Sequence, residues 1–258
     1  LDSIRKMLKP KVKICLAVKA DGYGHGAVGI SEAAISFGVE YLAVATISEA
    51  EELRQNGITA PILILSPILP EEIESIMDLY VEPVISTEIE IKMLSEAKKL
   101  RRLKVHLKID TGMSRVGCIP TDAVEIARKI SDNENILLTG VCTHFPVSDS
   151  SEQADIDFTK EQIKIFSEAV SERKRAGINP GLIHAANSGG ILNYPEAHFD
   201  MVRPGILAYG YLPSGREGLI SGTAAVFQPA PVMSLESKLL QIKKVPAGTD
   251  VSYGRRYT

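Results

Sequence analysis

The sequence predicts an α/β protein: a (β/α)8 TIM-like barrel followed by the start of a second, β-rich domain. Short apolar runs rich in β-branched residues alternate with amphipathic helical stretches in about eight β-then-α units, the number that closes a parallel barrel. The strand-like runs are apolar almost throughout, as expected for parallel strands covered on both faces. The chain has 258 residues, and barrels of this kind commonly have about 250.

The order of the elements follows from the apolar spacing and the turn residues. The predicted strands span residues 12–19, 41–46, 62–66, 81–86, 104–110, 137–145, 182–188 and 199–206. The predicted helices span residues 27–38, 48–57, 70–80, 87–100, 121–130 and 155–176. Ser48 is expected to cap the second helix, and glutamates follow in its first turn. Pro70 favours a helix start, whereas Pro83 weakens the fourth strand.

The regular alternation of apolar strands and amphipathic helices stops after Gly210. Residues 1–224 are assigned to the barrel and residues 225–258 to the second domain, which is expected to be truncated. Residues 232–245 alternate like an antiparallel strand, and a Pro-Ala-Gly turn follows. An open doubly wound sheet is the alternative for the first part. Its usual GxGxxG loop is not matched by the GYGHG that follows the first strand, which favours the barrel.

Composition and charge exclude several classes of protein. The net charge of −3 gives no general attraction to nucleic acid or to a membrane surface. The longest apolar stretch, residues 61–69, is too short to span a membrane, and the N-terminal residues lack the apolar region of a signal peptide. Cys15, Cys118 and Cys142 are odd in number and widely spaced, so we expect buried thiols in a cytoplasmic protein, with neither a zinc site nor a disulfide.

Polar residues recur where the predicted strands end. In barrels of this type the chemistry lies at the carboxyl ends of the strands. Lys19 ends the first strand, and a lysine at the tip of a buried strand needs either a paired charge or a chemical role. The other polar residues at or just after strand ends are Tyr23, Lys108, Asp110, Arg115, His144, Asn187, Ser188 and Arg203. They contain no histidine and carboxylate cluster with metal-ligand spacing, so we expect no metal.

Each of these residues alone has a structural explanation: Lys108 could pair with Asp110, and His144 could be a hydrogen-bonded core histidine. Their coincidence on one rim favours a site, and its cationic character predicts an anionic ligand. The ANSGG and RPGI stretches of the last two strands offer a hydroxyl and backbone N–H groups where barrels often hold phosphate. A lysine, a phosphate cradle and no metal together indicate pyridoxal phosphate, with Lys19 forming the Schiff base.

Six motifs closely resemble those of bacterial alanine racemases in order and spacing. They are AVKADGYGHG, KIDTGMSRVG, CTHF, HAANSGG, RPGILAYG and VSYGRRY. The resemblance covers essentially the whole chain and implies a pyridoxal-phosphate enzyme that is a cytoplasmic homodimer. It also implies racemisation of L-alanine and D-alanine, which supplies D-alanine for peptidoglycan. Members of the family begin with a strand ahead of this N-terminus and continue well past Thr258, in line with the expected truncation.

The resemblance implies one base on each face of the substrate. Lys19 corresponds to the Schiff-base lysine and would handle the Cα proton of the D-enantiomer. Tyr253, in VSYG, corresponds to a tyrosine that the partner subunit contributes, and would handle the Cα proton of the L-enantiomer. Because a phenol gives up its proton reluctantly at neutral pH, His144 and Arg203 are expected to assist it.

The same resemblance assigns the contacts to the phosphate and the ring. Tyr23, Ser188 and the backbone of Gly205 and Ile206 resemble the phosphate-binding set. Arg203 resembles the arginine that faces the pyridine nitrogen. A guanidinium keeps its proton, so the ring nitrogen should stay unprotonated and the ring should be a weaker electron sink than one facing a carboxylate.

The remaining predicted site residues surround these contacts. Arg115 resembles the arginine that contacts the cofactor phenolate and the substrate carboxylate. Lys108 matches a lysine that is carbamylated in many members, and the resulting anion would position Arg115. The predicted cofactor-binding set also includes Leu65, His144 and Asn187.

Three other functions remain open. A racemase for another amino acid, such as serine, would share the barrel motifs. A non-catalytic pyridoxal-phosphate carrier would keep the lysine and the phosphate cradle, but it would not need Tyr253. A fold-related amino acid decarboxylase would usually place a carboxylate, rather than Arg203, against the pyridine nitrogen.

Overall fold

Eight parallel strands form a closed barrel in the computed structural model, which describes residues 1–97, 102–220, 227–234 and 236–257. The strands are β1 (Lys13–Ala17), β2 (Tyr41–Val44), β3 (Ile62–Ile64), β4 (Glu82–Ile85), β5 (Leu103–Lys108), β6 (Ile136–Cys142), β7 (Leu182–His184) and β8 (Met201–Val202). Each strand pairs with the next, and β8 returns to β1 through the Lys13–Met201 and Ile14–Val202 pairs. The predicted barrel is therefore confirmed.

Helical segments precede β1 and separate the strands. They are α1 (Asp2–Met7), α2 (Lys19–Gly24), α3 (Ala27–Ser36), α4 (Ile47–Gln55), α5 (Ile73–Asp78), α6 (Glu88–Glu96), α7 (Ala123–Ser131), α8 (Gln153–Arg175) and α9 (Ser188–Asn193). Of these, α2 is a left-handed turn. Short 3-10 segments span Pro70–Glu72, Pro120–Asp122, Pro195–Ala197, Ile206–Tyr209 and Tyr253–Arg255. No helix in the described ranges is both long and apolar enough to cross a membrane.

The predicted helices all occur, with two differences. The end of the helix predicted over 87–100 falls partly on residues 98–100, outside the described residues. The expected cap Ser48 is wrong: α4 starts one residue earlier, and the Thr46 hydroxyl accepts from the Glu49 backbone N–H while the Glu49 carboxylate accepts from the Thr46 backbone N–H. This reciprocal capping box satisfies two N–H groups that Ser48 could not reach. Helix α9 was not predicted, because all six of its residues are buried and give no amphipathic period.

Two apolar cores lie on opposite faces of the sheet. The larger core fills the space between the strands and the surrounding helices. The smaller core fills the barrel and consists of Cys15, Tyr41, Ala43, Leu63, Val84, Cys142 and Met201. Buried polar side chains of Glu82, His106 and His184 also lie in the barrel strands. The interior is thus polar enough to support a hydrogen-bonded network beneath the strand ends.

The described residues after Phe227 do not form the strand predicted over 232–245. Leu239, Leu240 and Ile242 are 83%, 98% and 82% exposed. An alternating pattern supplies an apolar face, but a strand also needs a neighbouring strand, and the structure pairs none with the described part of this range. The predicted domain boundary between residues 224 and 225 lies outside the described residues, so the division into two domains stays a prediction.

Candidate active site

A cavity of about 640 Å³ opens at the carboxyl ends of the strands. Its lining brings together almost all of the predicted site residues: Lys19, Tyr23, Leu65, Lys108, Arg115, His144, Asn187, Ser188, Arg203, Gly205 and Ile206. Tyr253 is not among them. Strand ends that are far apart in sequence thus supply one cationic pocket, as their positions in a parallel barrel require.

Lys19 follows the end of β1 after one intervening residue, Val18, and starts the left-handed turn α2. From Ala20 to Tyr23 the φ angles lie between 52° and 60°. Such a conformation costs about 1–2 kcal/mol for each residue that carries a side chain, so its surroundings must hold it in place. Within the described ranges, the Lys19 ammonium has no hydrogen-bond or ion-pair partner. The turn therefore presents an amine to the cavity without a neutralising carboxylate.

Glu49 is the residue that fixes this turn. Its carboxylate accepts from the backbone N–H of Ala20 at 2.7 Å and from that of Ala45 at 2.7 Å. It also closes the capping box with Thr46 at 3.2 Å. One side chain of α4 therefore ties the segment after β1 to the segment after β2, and it does so next to Lys19. A carboxylate that accepts three backbone N–H bonds stabilises the strained turn.

Arg203 is 6% exposed and anchored on three sides. Its Nη1 donates to His184 Nδ1 at 2.6 Å. Its Nη2 donates to the carbonyl oxygens of Thr143 at 2.7 Å and Ala185 at 2.9 Å. Burial lowers the pKa of Arg203, but a guanidinium remains protonated in proteins. Within the described part of the chain, its Nε–H has no acceptor and Nη1, which carries two hydrogens, has one acceptor, so Nε–H and one Nη1–H are the donors left for a molecule in the cavity.

His144 is neutral in this environment. Burial lowers its pKa well below the usual range, and the charges of Arg203, Lys108, Arg115 and Lys19 lower it further. Its Nδ1 lies 3.3 Å from Arg203 Nη2. Because arginine is only a donor, Nδ1 accepts and the imidazole proton is on Nε2. His144 is thus a neutral donor on the cavity wall.

Lys108 is buried on the same wall. Burial lowers the pKa of its amine, and the charges of Arg203 and Arg115 act in the same direction, whereas Cys142 opposes them. The alternative ion pair with Asp110 is not found among the described residues. The Asp110 carboxylate instead accepts from the backbone N–H groups of Gly112 at 2.9 Å and Ser114 at 3.1 Å, and so shapes the loop that carries Arg115.

A hydroxyl and backbone N–H groups form a cradle at the other side of the cavity. The Ser188 Oγ accepts from the N–H of Gly205 at 3.0 Å and from that of Leu207 at 3.3 Å. A Cβ at Gly205 would lie 2.5 Å from the Tyr23 Oη, so only glycine allows this approach. A phenol, a hydroxyl and amide donors in one place match the donors that bind phosphate.

The Asn187 side chain supports the cradle from behind, because its hydrogen bonds go to other protein groups. Its Oδ1 accepts from the Gly190 N–H at 3.0 Å and from the Ser148 hydroxyl at 2.7 Å. Its Nδ2 donates to the Phe145 carbonyl at 2.9 Å. Asn187 therefore caps α9 and fastens it to the segment that follows β6, which fixes the place of Ser188.

Comparison with known proteins identifies the family to which this chain belongs. The family model described as the N-terminal domain of alanine racemase matches residues 1–213. The chain belongs to the alanine racemase family. An alanine racemase of Treponema denticola is 53% identical over 260 residues, which cover 100% of this chain and 67% of that relative. One of Treponema pallidum is 44% identical over 254 residues, covering 96% of this chain and 66% of that relative.

Solved alanine racemase structures share the fold. The alanine racemase of Clostridium difficile 630 matches with a TM-score of 0.90 and 35% identity, over 99% of this chain and 66% of that one. The Bacillus anthracis alanine racemase with bound L-Ala-P matches with a TM-score of 0.87 and 32% identity, over 98% of this chain and 64% of that one. The chain therefore spans about two thirds of the length of these members of the alanine racemase family.

Tyr253 lies apart from the alanine racemase pocket within this chain. It is 98% exposed and belongs to the 3-10 turn Tyr253–Arg255. The turn sits inside a small loop closed by the Val251 N–H, which donates to the Tyr257 carbonyl at 2.8 Å. The predicted role of Tyr253 is across a subunit interface, which a single chain does not test, so that role stays a prediction.

Sequence reasoning missed several residues that shape the pocket. Tyr209 donates to the Ala17 carbonyl at 2.8 Å and packs against Tyr23 with 4.9 Å between ring centroids. Glu49 was assigned only to a helix start, although the Thr-x-x-Glu capping signature was present. His184 was assigned to an apolar strand, and only its distance from Arg203 shows that it belongs to the site. Contacts of this kind join distant segments and have no local sequence signal.

Proposed function

We propose that the protein is a pyridoxal-phosphate-dependent alanine racemase. The observation that carries the proposal is the shared cavity of Lys19, Arg203 and the Ser188–Gly205 cradle in a chain of the alanine racemase family. An amine, a cationic hydrogen-bond donor and an anion cradle are the three groups that an aldehyde cofactor with a ring nitrogen and a phosphate requires. The substrate is a small amino acid.

The residues present fit this cofactor. Ser188, Gly205 and Tyr23 would hold the phosphate because their polar groups lie close together. The Ser188 Oγ lies 3.0 Å from the Gly205 nitrogen, and a Cβ at Gly205 would lie 2.5 Å from the Tyr23 Oη. The Arg203 guanidinium, held through both Nη atoms by protein acceptors, would turn its Nε–H, which is unpartnered in the described residues, to the ring nitrogen. When bound, pyridoxal phosphate supplies an aldehyde for the amino group and a ring that acidifies the Cα proton of the substrate.

Lys19 would act as the base on one face. Its amine faces the cavity without an ion-pair partner in the described residues, so it would be free to take up a proton from Cα and to return it. Arg203 would donate a hydrogen bond to the ring nitrogen and keep its own proton. This limits how strongly the ring withdraws electrons, and it favours proton exchange over the cleavage of other bonds.

Tyr253 of a second subunit would act as the base on the opposite face, in a homodimer. Its 98% exposure leaves the phenol available to a neighbouring molecule, and the VSYG motif carries the same assignment. His144, a neutral donor beside Arg203, would assist the transfer of the phenolic proton.

Lys108 would be carbamylated and would hold Arg115 against the substrate carboxylate. Burial lowers the pKa of the Lys108 amine, and an uncharged amine is the form that reacts with carbon dioxide. Neighbouring Arg115 and Arg203 would stabilise the resulting anion. The product D-alanine would supply peptidoglycan, and the three free, buried cysteines agree with a cytoplasmic enzyme.

The test is the variant Lys19→Ala, with Lys13→Ala at the opposite end of β1 as the matched control. Lys19→Ala should lose both the absorbance of lysine-bound cofactor and racemisation, whereas Lys13→Ala should keep both. Borohydride reduction of the unsubstituted protein should place the adduct on the peptide that contains Lys19. Racemisation that persists unchanged in Lys19→Ala would refute the proposal. Parallel assays with L-serine, and for release of carbon dioxide, separate the related functions.

A further inference from the structure

A buried chain of four polar side chains runs from the active-site cavity into the barrel. Arg203 Nη1 lies 2.6 Å from His184 Nδ1, His184 Nε2 lies 2.8 Å from His106 Nδ1, and His106 Nε2 lies 3.1 Å from Glu82 Oε2. All four residues are buried, and both histidines are 0% exposed. The other Glu82 oxygen lies 3.6 Å from Lys104 Nζ, whose side chain is 55% exposed. The chain therefore crosses the interior and ends at a cation that solvent reaches.

Only one arrangement of protons satisfies this chain. Arginine has no acceptor, so His184 Nδ1 must accept from Arg203. The proton of a neutral His184 is then on Nε2, which donates to His106 Nδ1. His106 in turn carries its proton on Nε2 and donates to Glu82. Burial lowers the pKa of His184 well below its usual range, in agreement with the neutral ring. Every hydrogen bond thus points from Arg203 towards Glu82.

The backbone makes room for this chain at Gly140. His106 belongs to β5 and His184 to β7, so their rings meet across the intervening strand β6. In the register of the sheet Gly140 is the partner of His106, and a Cβ at Gly140 would lie 2.4 Å from His106 Nδ1. Any side chain at this position would occupy the place where the two imidazoles exchange a hydrogen bond.

We propose that Glu82 and His106, acting through His184, are positioning residues that fix the orientation of the Arg203 guanidinium. Glu82 sets the direction of the chain, because its carboxylate accepts and never donates. His184 is consequently held as an acceptor towards Arg203 Nη1, and this contact fixes the plane of the guanidinium that lines the cavity. For its effect on the cofactor ring the inference rests on the proposed function. The proton arrangement itself does not depend on that function.

The variants Glu82→Leu and Glu82→Gln test whether an acceptor at this position holds the chain. Leucine has a similar size but no acceptor, so the His106 Nε2–H loses its partner and both imidazoles lose the carboxylate that fixes their orientation. Glutamine keeps an acceptor: its amide oxygen should face the buried His106 Nε2–H, and its NH2 group should face Lys104, whose exposed ammonium can bind water instead. Both rings should therefore keep their Nε2 protons in Glu82→Gln.

The first measurement is long-range ¹H–¹⁵N NMR of the histidine rings, in protein without cofactor at neutral pH. The unsubstituted protein and the control Tyr41→Phe should show both rings protonated on Nε2. Tyr41 packs edge-on against His106, with 6.4 Å between ring centroids, but it is not a member of the chain. Glu82→Leu should move the signal of the His106 Nε2–H proton upfield, because its hydrogen bond to a carboxylate is lost, whereas Glu82→Gln should keep that proton hydrogen-bonded and both rings protonated on Nε2. Nδ1 protonation of either ring in the unsubstituted protein overturns the inference without any variant.

The second measurement uses the protein loaded with pyridoxal phosphate. Glu82→Leu should shift the absorbance of the bound cofactor and lower kcat about 10- to 100-fold, by analogy with the removal of a carboxylate that orients a metal-binding histidine. Glu82→Gln, which keeps an acceptor for His106, should retain most of both properties. A role in packing alone predicts no such difference between the two variants. Unchanged absorbance and kcat in Glu82→Leu would overturn the link to Arg203, whereas absence of racemisation in the unsubstituted protein would count only against the proposed function.

Discussion

Two regions of the molecule hold their chemistry-bearing side chains in opposite ways. In the barrel, Arg203 is 6% exposed and donates to a histidine and two carbonyl oxygens. In the C-terminal segment (residues 227–234 and 236–257), Tyr253 is 98% exposed. This difference is the one that the proposed function requires: the barrel holds its cofactor-binding residues in place, and the proposed second base stays exposed, as a residue that serves a partner subunit would. Cofactor binding should therefore depend on the barrel alone, and racemisation on both regions.

Tyr253→Phe is expected to have the largest effect that separates the two regions. Loss of the phenolic proton should reduce racemisation by about 10²- to 10⁴-fold, the usual contribution of an acid–base group, while the absorbance of bound cofactor stays the same. Tyr257→Phe, at an exposed tyrosine nearby, should change neither. Loss of cofactor absorbance in Tyr253→Phe would show that the C-terminal segment also builds the cofactor site.

Mixed dimers test whether the two bases come from different subunits. Lys19→Ala and Tyr253→Phe homodimers should both be inactive. In a hybrid of the two variants, the subunit with Lys19 intact meets a partner with Tyr253 intact, so one site of two is complete. Random mixing of a two-fold dimer should then restore about a quarter of the normal activity. No recovery on mixing would contradict a tyrosine supplied across the interface.

Gly205→Ala tests how tightly the barrel defines the phosphate cradle. The added Cβ would lie 2.5 Å from the Tyr23 Oη, and overpacking of this kind costs about 1–3 kcal/mol. The affinity for pyridoxal phosphate should fall about 5- to 150-fold, measured by titration of the protein without cofactor. Gly29→Ala on α3 meets no atom within 4 Å and should leave the affinity unchanged. Equal affinities in both variants would remove Gly205 from the proposed cradle.

The pH dependence of stability should belong to the barrel as well. All five histidines precede residue 199, and burial lowers the pKa of His144 and His184 well below 6.5. Above about pH 6.5 these rings are neutral whether the chain is folded or unfolded, so they contribute no slope. Below that pH the unfolded chain binds protons that the folded chain excludes. The free energy of unfolding should then fall by about 1.4 kcal/mol per pH unit for each ring.

Urea unfolding at pH 7 and pH 5 measures this slope. The midpoint should be lower at pH 5, and His144→Gln should reduce the difference between the two pH values by the contribution of one ring. A midpoint that does not change with pH would mean that these histidines are protonated in the folded protein. That result would also contradict the proton arrangement inferred for His184.

The sequence predicts the residues of the barrel rim well, but it predicts neither the C-terminal segment nor the contacts between distant strands. Lys19 and Arg203 were found because a parallel barrel places every strand end on one rim, so position along a strand predicts position in space. The prediction of a strand over residues 232–245 was wrong, because the alternation of apolar residues is a local pattern, whereas a strand forms only when a second strand pairs with it. His106 and His184 are 78 residues apart, so their hydrogen bond follows from the closed barrel and not from any motif.

Thr46→Ala and Ser48→Ala form the matched pair with the smallest expected effect. Thr46 accepts from the Glu49 N–H, so its loss removes a helix cap and should lower the free energy of unfolding by about 1 kcal/mol. Because the same box holds the Glu49 carboxylate beside Ala20, cofactor affinity should also fall slightly. Ser48 makes no capping contact in the described structure, and Ser48→Ala should change neither quantity. Equal destabilisation by the two variants would contradict Thr46 as the cap of α4, and with it the proposed effect of this cap on the turn that carries Lys19.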